Sequence, residues 1–183
     1  SATASAGAIT QDGGALTVTG TSAFTTSTND QAIILSKTTN ALTGAVAFTT
    51  AGTAGNVTID NGTTALDLAA STISGTLKAT GGATAGIVDS GNVAVAGDVT
   101  LTTDANNGVI NLNTLQQSAG DLVLTTNGTG DATVVNNAAI DFGTSSVGGN
   151  LSATASAGTI TQNGGVLTVT GTSAFTTSTN DQA

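Results

Sequence analysis

Eight residue types are absent from this 183-residue chain: Cys, Pro, Met, Trp, Tyr, His, Glu and Arg. Without cysteine there are no disulfide staples. Without proline-rich or charged linkers, nothing marks an internal domain boundary. The 11 acidic residues are all Asp, the only cations are Lys37 and Lys78, and the net charge is −9. That balance excludes nucleic acid and anionic membrane as electrostatic partners, because both are bound through clustered Lys and Arg. No apolar run approaches the roughly 20 residues of a transmembrane helix. Acid–base catalysis needs groups of tuned pKa, and here they could come only from Asp. The nearest such pairs, Asp60/Asp67 and Asp98/Asp104, read as solvated turn or outward strand positions. No catalytic residue, cofactor-binding residue or metal ligand is therefore assigned, and the chain is expected not to be an enzyme.

What remains is rich in Thr, Val, Ile, Gly and Asn, residues of strands and tight turns and not of helices. Leu16-Thr17-Val18-Thr19, Val57-Thr58-Ile59-Asp60, Leu66-Asp67-Leu68 and Val99-Thr100-Leu101-Thr102 alternate apolar with polar. Period two means strands with one face inward and one outward. The punctuation, Asp12-Gly13-Gly14, Asn61-Gly62, Asn107-Gly108, Asn127-Gly128 and Gly149-Asn150, consists of residues that tolerate positive φ.

The chain also returns to its own beginning. Residues 152–183 repeat residues 1–32 at an offset of 151, and only Ala8/Thr159, Asp12/Asn163 and Ala15/Val166 differ. Residues 1–151 therefore read as one full repeat and 152–183 as the start of the next, a piece of a longer tandem array. Weaker echoes divide the long repeat into two diverged halves, about 1–74 and 75–151. Val18/Val95, Phe24/Leu101 and Thr26/Thr103 fall 77 apart, while Leu66/Ile140 and Leu77/Leu151 fall 74 apart. The Thr-Thr pairs that follow Phe24, Phe48, Leu101, Leu124 and Phe175 start at 25, 49, 102, 125 and 176. Taking the long spacings as double the short ones gives roughly six coils of about 25 residues per 151-residue repeat.

These features predict an all-β fold, a parallel and right-handed β-helix or solenoid. Asn-Gly turns could instead close hairpins in an antiparallel sandwich, but a sandwich needs non-equivalent strands and here equivalent segments recur. Disorder, the other reading of an acidic low-complexity chain, conflicts with the alternation and a mean hydropathy of +0.24. Stacking places like on like, so Phe24 should lie near Phe48 and Leu101 near Leu124. The inward set runs from Ile9, Leu16 and Val18 through Ile33, Leu35, Leu42, Val46, Val57, Ile59, Leu66, Leu68, Ile73, Leu77, Ile87, Val93, Val95 and Val99. It continues through Ile110, Leu112, Leu122, Val134, Ile140, Phe142 and Val147 to Leu151.

Three kinds of site were sought in the motifs. Asp60-Asn61-Gly62 and Asp104-Ala105-Asn106-Asn107-Gly108 offer oxygen ligands of the kind calcium takes, but neither fits a calcium-loop pattern, and both read as turns. Thr17-Val18-Thr19 and Thr168-Val169-Thr170 have the Thr-x-Thr spacing of an ice-binding face, without recurring at every coil. Asn56, Asn61, Asn127 and Asn150 open glycosylation sequons that chance explains in so Asn- and Thr-rich a chain.

The strings Gly7-Ala8-Ile9-Thr10-Gln11, Leu16-Thr17-Val18-Thr19-Gly20, Ala23-Phe24-Thr25-Thr26 and Ser74-Gly75-Thr76-Leu77 resemble the repeat regions of giant bacterial exoproteins of the filamentous-haemagglutinin type, over essentially the whole chain. The resemblance implies a β-helical shaft exported by two-partner secretion and displayed at the bacterial cell surface. The expected role is a structural shaft or extracellular filament whose partners are neighbouring copies of the repeat, other filaments or another cell's surface. The alternative is an adhesin module gripping glycans through polar Thr/Asn faces. Replacing Leu101 or Phe48 by Asp should cost several kcal/mol, because it buries an unpaired charge. An unchanged melting temperature would contradict their inward assignment.

Overall fold

The structure, a computed structural model, describes residues 1–178. The last five residues of the second copy, 179–183, lie outside them. No helix occurs among the described residues, and all strand pairs are parallel. The chain winds as a solenoid with three short strand segments per coil. Register pairs trace the coil directly: Ala2 meets Phe24, Phe24 meets Phe48, Thr49 meets Thr72, Ser71 meets Val93, Val93 meets Leu115, Leu115 meets Asn136, Asn136 meets Ala155 and Ala155 meets Thr177. That is about eight turns of about 22 residues.

The coil is thus shorter than the expected 25 residues, and the 151-residue repeat holds about seven coils in place of six. The cause lies in the Thr-Thr landmarks. The pairs at 25 and 49 are neighbours in one sheet, and those at 102 and 125 are neighbours in another. Going from Thr49 to Thr102 therefore crosses two coils plus one side of the solenoid, and halving that spacing overstates the coil. The echo at 77 likewise changes sheets, since Phe24 pairs within the first sheet and Leu101 within the second.

The first sheet has eleven strands. Its main run comprises Ala2–Ala4, Ser22–Asn29, Val46–Ala51, Ser71–Ile73, Val93–Val95, Ile110–Gln117, Ala132–Asn136, Leu151–Ala155 and Ser173–Thr177. Leu66–Leu68 and Ile87–Asp89 attach beside it on a third side of the coil. Strand Ile110–Gln117 serves both sides, because Ile110 pairs with Ile87 and Leu115 with Val93, across a register shift between Leu112 and Leu115. The second sheet has eight strands, from Ile9–Thr10 through Leu77–Gly81 and Val99–Thr103 to Ile160–Val169. A two-stranded sheet joins Thr17–Val18 to Ala41–Leu42.

Alternation governs what is buried. Every predicted inward residue from Phe24 to Leu151 is buried, while Ile9, Leu16 and Val18 are half-buried on the first coil. Like stacks on like: Phe24 lies 5.9 Å from Phe48 with rings near parallel, and Leu101 pairs with Leu124. Leu115, Ala79, Ala132, Ala153 and Ala155 complete the interior.

The core is not wholly apolar. Asn40, Asn61 and Asn136 are buried at coil corners. Asn61 acts as a peptide group on a stalk: its Oδ1 accepts from Leu42 N at 2.9 Å and its Nδ2 donates to Leu42 O at 2.9 Å. Asn136 does the same to Gln117, at 2.8 and 3.0 Å. Asn40 Oδ1 accepts from Leu16 N at 2.8 Å, and its Nδ2 donates to Asp60 O at 3.0 Å. Buried hydroxyls serve the corners in a similar way. Thr50, Thr103 and Thr126 donate to Gly55 O, Gly108 O and Gly130 O at 2.8, 3.0 and 2.7 Å. Each replaces a ladder bond lost where the chain turns, since an unpaired buried backbone group costs about 1–3 kcal/mol. Gly148 is required at one such corner, because a Cβ there would meet Gly128 O at 1.9 Å.

Asn61→Leu leaves the backbone N–H and C=O of Leu42 unpaired and should destabilise the fold by about 2–5 kcal/mol. Denaturant unfolding of the variant measures this, and a loss below about 0.5 kcal/mol, the size of an ordinary surface substitution, would contradict the bridging role of the amide.

Candidate functional site

Two features of the surface are candidates for function, the capped corners and a groove along the first sheet, and the two copies of the repeated segment can be compared beside them.

At the corners, side-chain oxygens of one coil accept hydrogen bonds from backbone amides of the next. Asp30 Oδ1 accepts from Thr53 N at 2.7 Å and Ala54 N at 2.8 Å. Asn56 Oδ1 accepts from Thr76 N, Asp98 Oδ1 from Asp121 N, Asn107 Oδ1 from Thr129 N and Asn150 Oδ1 from Thr172 N, at 2.8 to 3.0 Å. Asp131 Oδ1 accepts from Asn150 N at 2.6 Å. Asp89 accepts from Asn113 N and Thr114 N at 3.0 and 2.7 Å. The amides of Thr53 and Ala54 hold the Asp30 carboxyl below the ordinary aspartate value of 3.8. The Asn163 amide does the same for Asp141. Amide donors favour the charged form of a carboxyl.

These contacts account for the residues the sequence singled out. Asp60 Oδ1 accepts from Gly62 N at 2.9 Å within its own turn, and Asn61 points inward. In the Asp104–Gly108 run, Asn107 has φ 61° and spends its oxygen on Thr129. Asp98 caps the following coil. Asp67 Oδ1 is a buried oxygen with no hydrogen-bond partner among the described residues. Asp60/Asp67 and Asp98/Asp104 thus have separate surroundings, and no group of three acidic side chains converges among the described residues. No helix there is long and apolar enough to cross a membrane.

The terminal coils show one sequence in two settings. Phe24 in the first copy is 8% exposed under the Phe48 coil, whereas its counterpart Phe175 is 49% exposed. Val166 is likewise 66% exposed. Phe142, Ile160, Leu167 and Phe175 line a depression of about 300 Å³ on this end. Conformation follows the setting: residues 9–18 form two short strands, Ile9–Thr10 and Thr17–Val18, while their counterparts form one strand, Ile160–Val169, laid on Ile140–Val147.

A concavity of about 460 Å³ runs along the first sheet over Thr72, Ser74, Ala94, Ala96, Gln116 and Asn137. Small side chains there leave Ile73 and Val95 close to the surface. Beside it the threonines Thr3, Thr25, Thr49 and Thr72 stand in register on four successive coils. A second row, Thr80, Thr102 and Thr125 with Ser146 and Thr168, crosses the other sheet. The sequence reading missed both rows because it sought Thr-x-Thr along the chain, and the rows run across it. Their signal was Thr at outward phase once per coil.

The family described as repeats of unknown function (DUF5649) matches residues 1–49, 54–126 and 129–181. No curated protein and no solved structure matches the chain.

Because Asp30 and Asp141 have lowered values in the folded chain, their contribution to stability is present above the unfolded value of about 3.9 and is lost as pH falls through the folded one. The melting temperature should therefore drop on acidification from about pH 5 to pH 3, and drop less in an Asp30→Asn/Asp141→Asn double variant. Parallel curves for the two proteins would contradict the assigned role of these carboxylates.

Proposed function

We propose that this chain, which belongs to the family of repeats of unknown function (DUF5649), is a segment of a structural shaft that lengthens by stacking tandem 151-residue repeats. The observation that carries this reading is the unbroken parallel stacking, in which each coil pairs with the one before and the one after from Ala2–Phe24 and Phe24–Phe48 to Asn136–Ala155 and Ala155–Thr177. The second copy of the repeated segment continues the same ladders as the first, Leu151–Ala155 pairing with Ser173–Thr177 as Ala2–Ala4 pairs with Phe24–Thr26. The coil that would follow Phe175 in a tandem array carries the counterpart of Phe48, so each repeat presents the surface the next requires. Continuous strand ladders and interior support the same reading, since stacking satisfies backbone groups that would otherwise form open edges.

The shaft reading extends to a secreted, extracellular, cell-surface protein of the filamentous-haemagglutinin type. Its support is the string order that carries the resemblance and the absence of the side chains on which enzymes commonly rely. The partners in this reading are adjoining repeats, with no enzymatic activity, nucleic acid or cofactor. The alternative, an adhesin module, draws on the uncharged groove at Ala94 and Gln116. Its weakness is the lack of Trp and Tyr platforms for sugar stacking. Saturable binding on a glycan array, abolished by Thr72→Asp, would favour the adhesin.

At about 4.8 Å per coil, one repeat adds about 34 Å. Chains with one, two and four repeats should appear in electron micrographs as rods that lengthen by that step at constant width, with rising melting temperature. Separate globules, or equal lengths, would overturn the shaft. The mass of the intact denatured polypeptide then distinguishes one giant chain from assembled subunits.

A further inference from the structure

The charged residues of the described chain are unevenly placed. The nine strands of the first sheet's main run contain no Asp and no Lys, although the whole chain carries 11 Asp and two Lys. Asp60, Lys78 and Asp141 lie on the second sheet, and Asp67 and Asp89 on the third side. Asp12, Asp30, Lys37, Asp98, Asp104, Asp121 and Asp131 lie in the turns between strands. Where these strands lie on the first side, at Thr3, Thr25, Thr49, Thr72, Ala94 and Gln116, they form an uncharged band of Thr, Ala and Gln, whereas Ile110–Gln117 and Ala132–Asn136 also run onto the third side, beside Asp67 and Asp89. The chain is otherwise acidic.

We propose that this band is a lateral docking surface for a second shaft of the same chain. The charge map selects the partner. Two rods, each with a net charge of −9 per 183 residues, oppose one another on any side that brings carboxylates together. Facing charges in water repel by about 1 kcal/mol at contact and are screened over about 10 Å. Apposing the uncharged bands keeps the carboxylates at the borders. Ordering costs are low, because Ala has no rotamers to lose and Thr is stiff at χ1.

The threonine row Thr3, Thr25 and Thr49 leads into the groove, which begins at Thr72 and runs over Ala94, Ala96 and Asn137. In an array, row and groove recur once per repeat, so a neighbour displaced by half a repeat sets its threonines against the groove. The band is about 34 Å long per repeat and about 10–15 Å wide, taking strand spacing and rise per residue. One repeat therefore offers about 350–500 Å² per partner, less than the roughly 800 Å² of a standard stable interface. Two or more repeats reach that size, and each added repeat strengthens pairing without a new kind of contact.

This inference rests on the shaft reading, and rod length and rod width test the two separately. Chains of one, two and four repeats are examined by sedimentation and electron microscopy, as the parent sequence and with Thr49→Asp and Ala94→Asp in every repeat. A control carries Thr102→Asp, an outward position on the second sheet. The expected result is single rods for one repeat and paired rods for four, more so at high salt. Pairing should be lost in the band variant and kept in the control, with melting temperatures unchanged in both. Single-width rods at every repeat number would overturn the proposal while leaving the shaft standing. So would equal loss of pairing in the control, or rods that stay single and bind neutral dextran at the groove.

Discussion

No coil of this chain satisfies its own backbone. A strand segment of two to ten residues finds its partners about 22 residues earlier and later, and every other feature answers to that dependence. Parallel stacking fixes the register of each coil on its neighbour. Register sends alternate side chains into a narrow interior, filled mainly by aliphatic residues, Ala and the occasional Phe, with uncharged polar side chains toward the corners. Absence of charge from the inward phase follows, because a carboxylate there would be buried with no partner.

Corners are where this scheme is weakest, and there the chain substitutes side chains for peptides. Asn61 and Asn136 each present an amide to a backbone segment that has lost its strand neighbour. Ser71 and Ser145 accept from Phe48 N and Leu124 N, both at 3.0 Å, where register shifts interrupt the ladder. Outside, Asp and Asn bind the amides of the following turn. The composition thereby acquires a physical reason: Asn, Asp, Ser and Thr are short enough to reach backbone groups without leaving the coil.

Fold class and core were legible because both rest on period two. From Phe24 to Leu151 the inward assignments needed only alternation, and the Phe24–Phe48 and Leu101–Leu124 stacks followed from the short spacings. Coil length was less legible, since Thr26 and Thr103 end similar strings on different sides of the solenoid. The buried polar residues were legible in part. Gln117 follows Leu115 and Asn136 follows Ala132 and Val134 at inward phase, but the inward set read from the sequence was wholly apolar and included neither. What phase could not supply was the reason such groups are tolerated, which depends on the coil next door. The uncharged band and the threonine rows escaped notice because they exist only across the coils, at right angles to the order in which a sequence is read.

The outer corner bonds also share a direction. At Asp30, Asn56, Asp89, Asp98, Asn107, Asp131, Asp141 and Asn150 the acceptor belongs to the earlier coil and the amide to the later one. A rod built this way has a head and a tail. Its closing contacts join segments one coil apart however long the rod becomes, so the sequence distance that folding must bridge does not grow with length. Chain delivered from one end would meet waiting acceptors at each turn, and the time to complete a very long rod would scale with the number of coils, as a zip closes tooth by tooth.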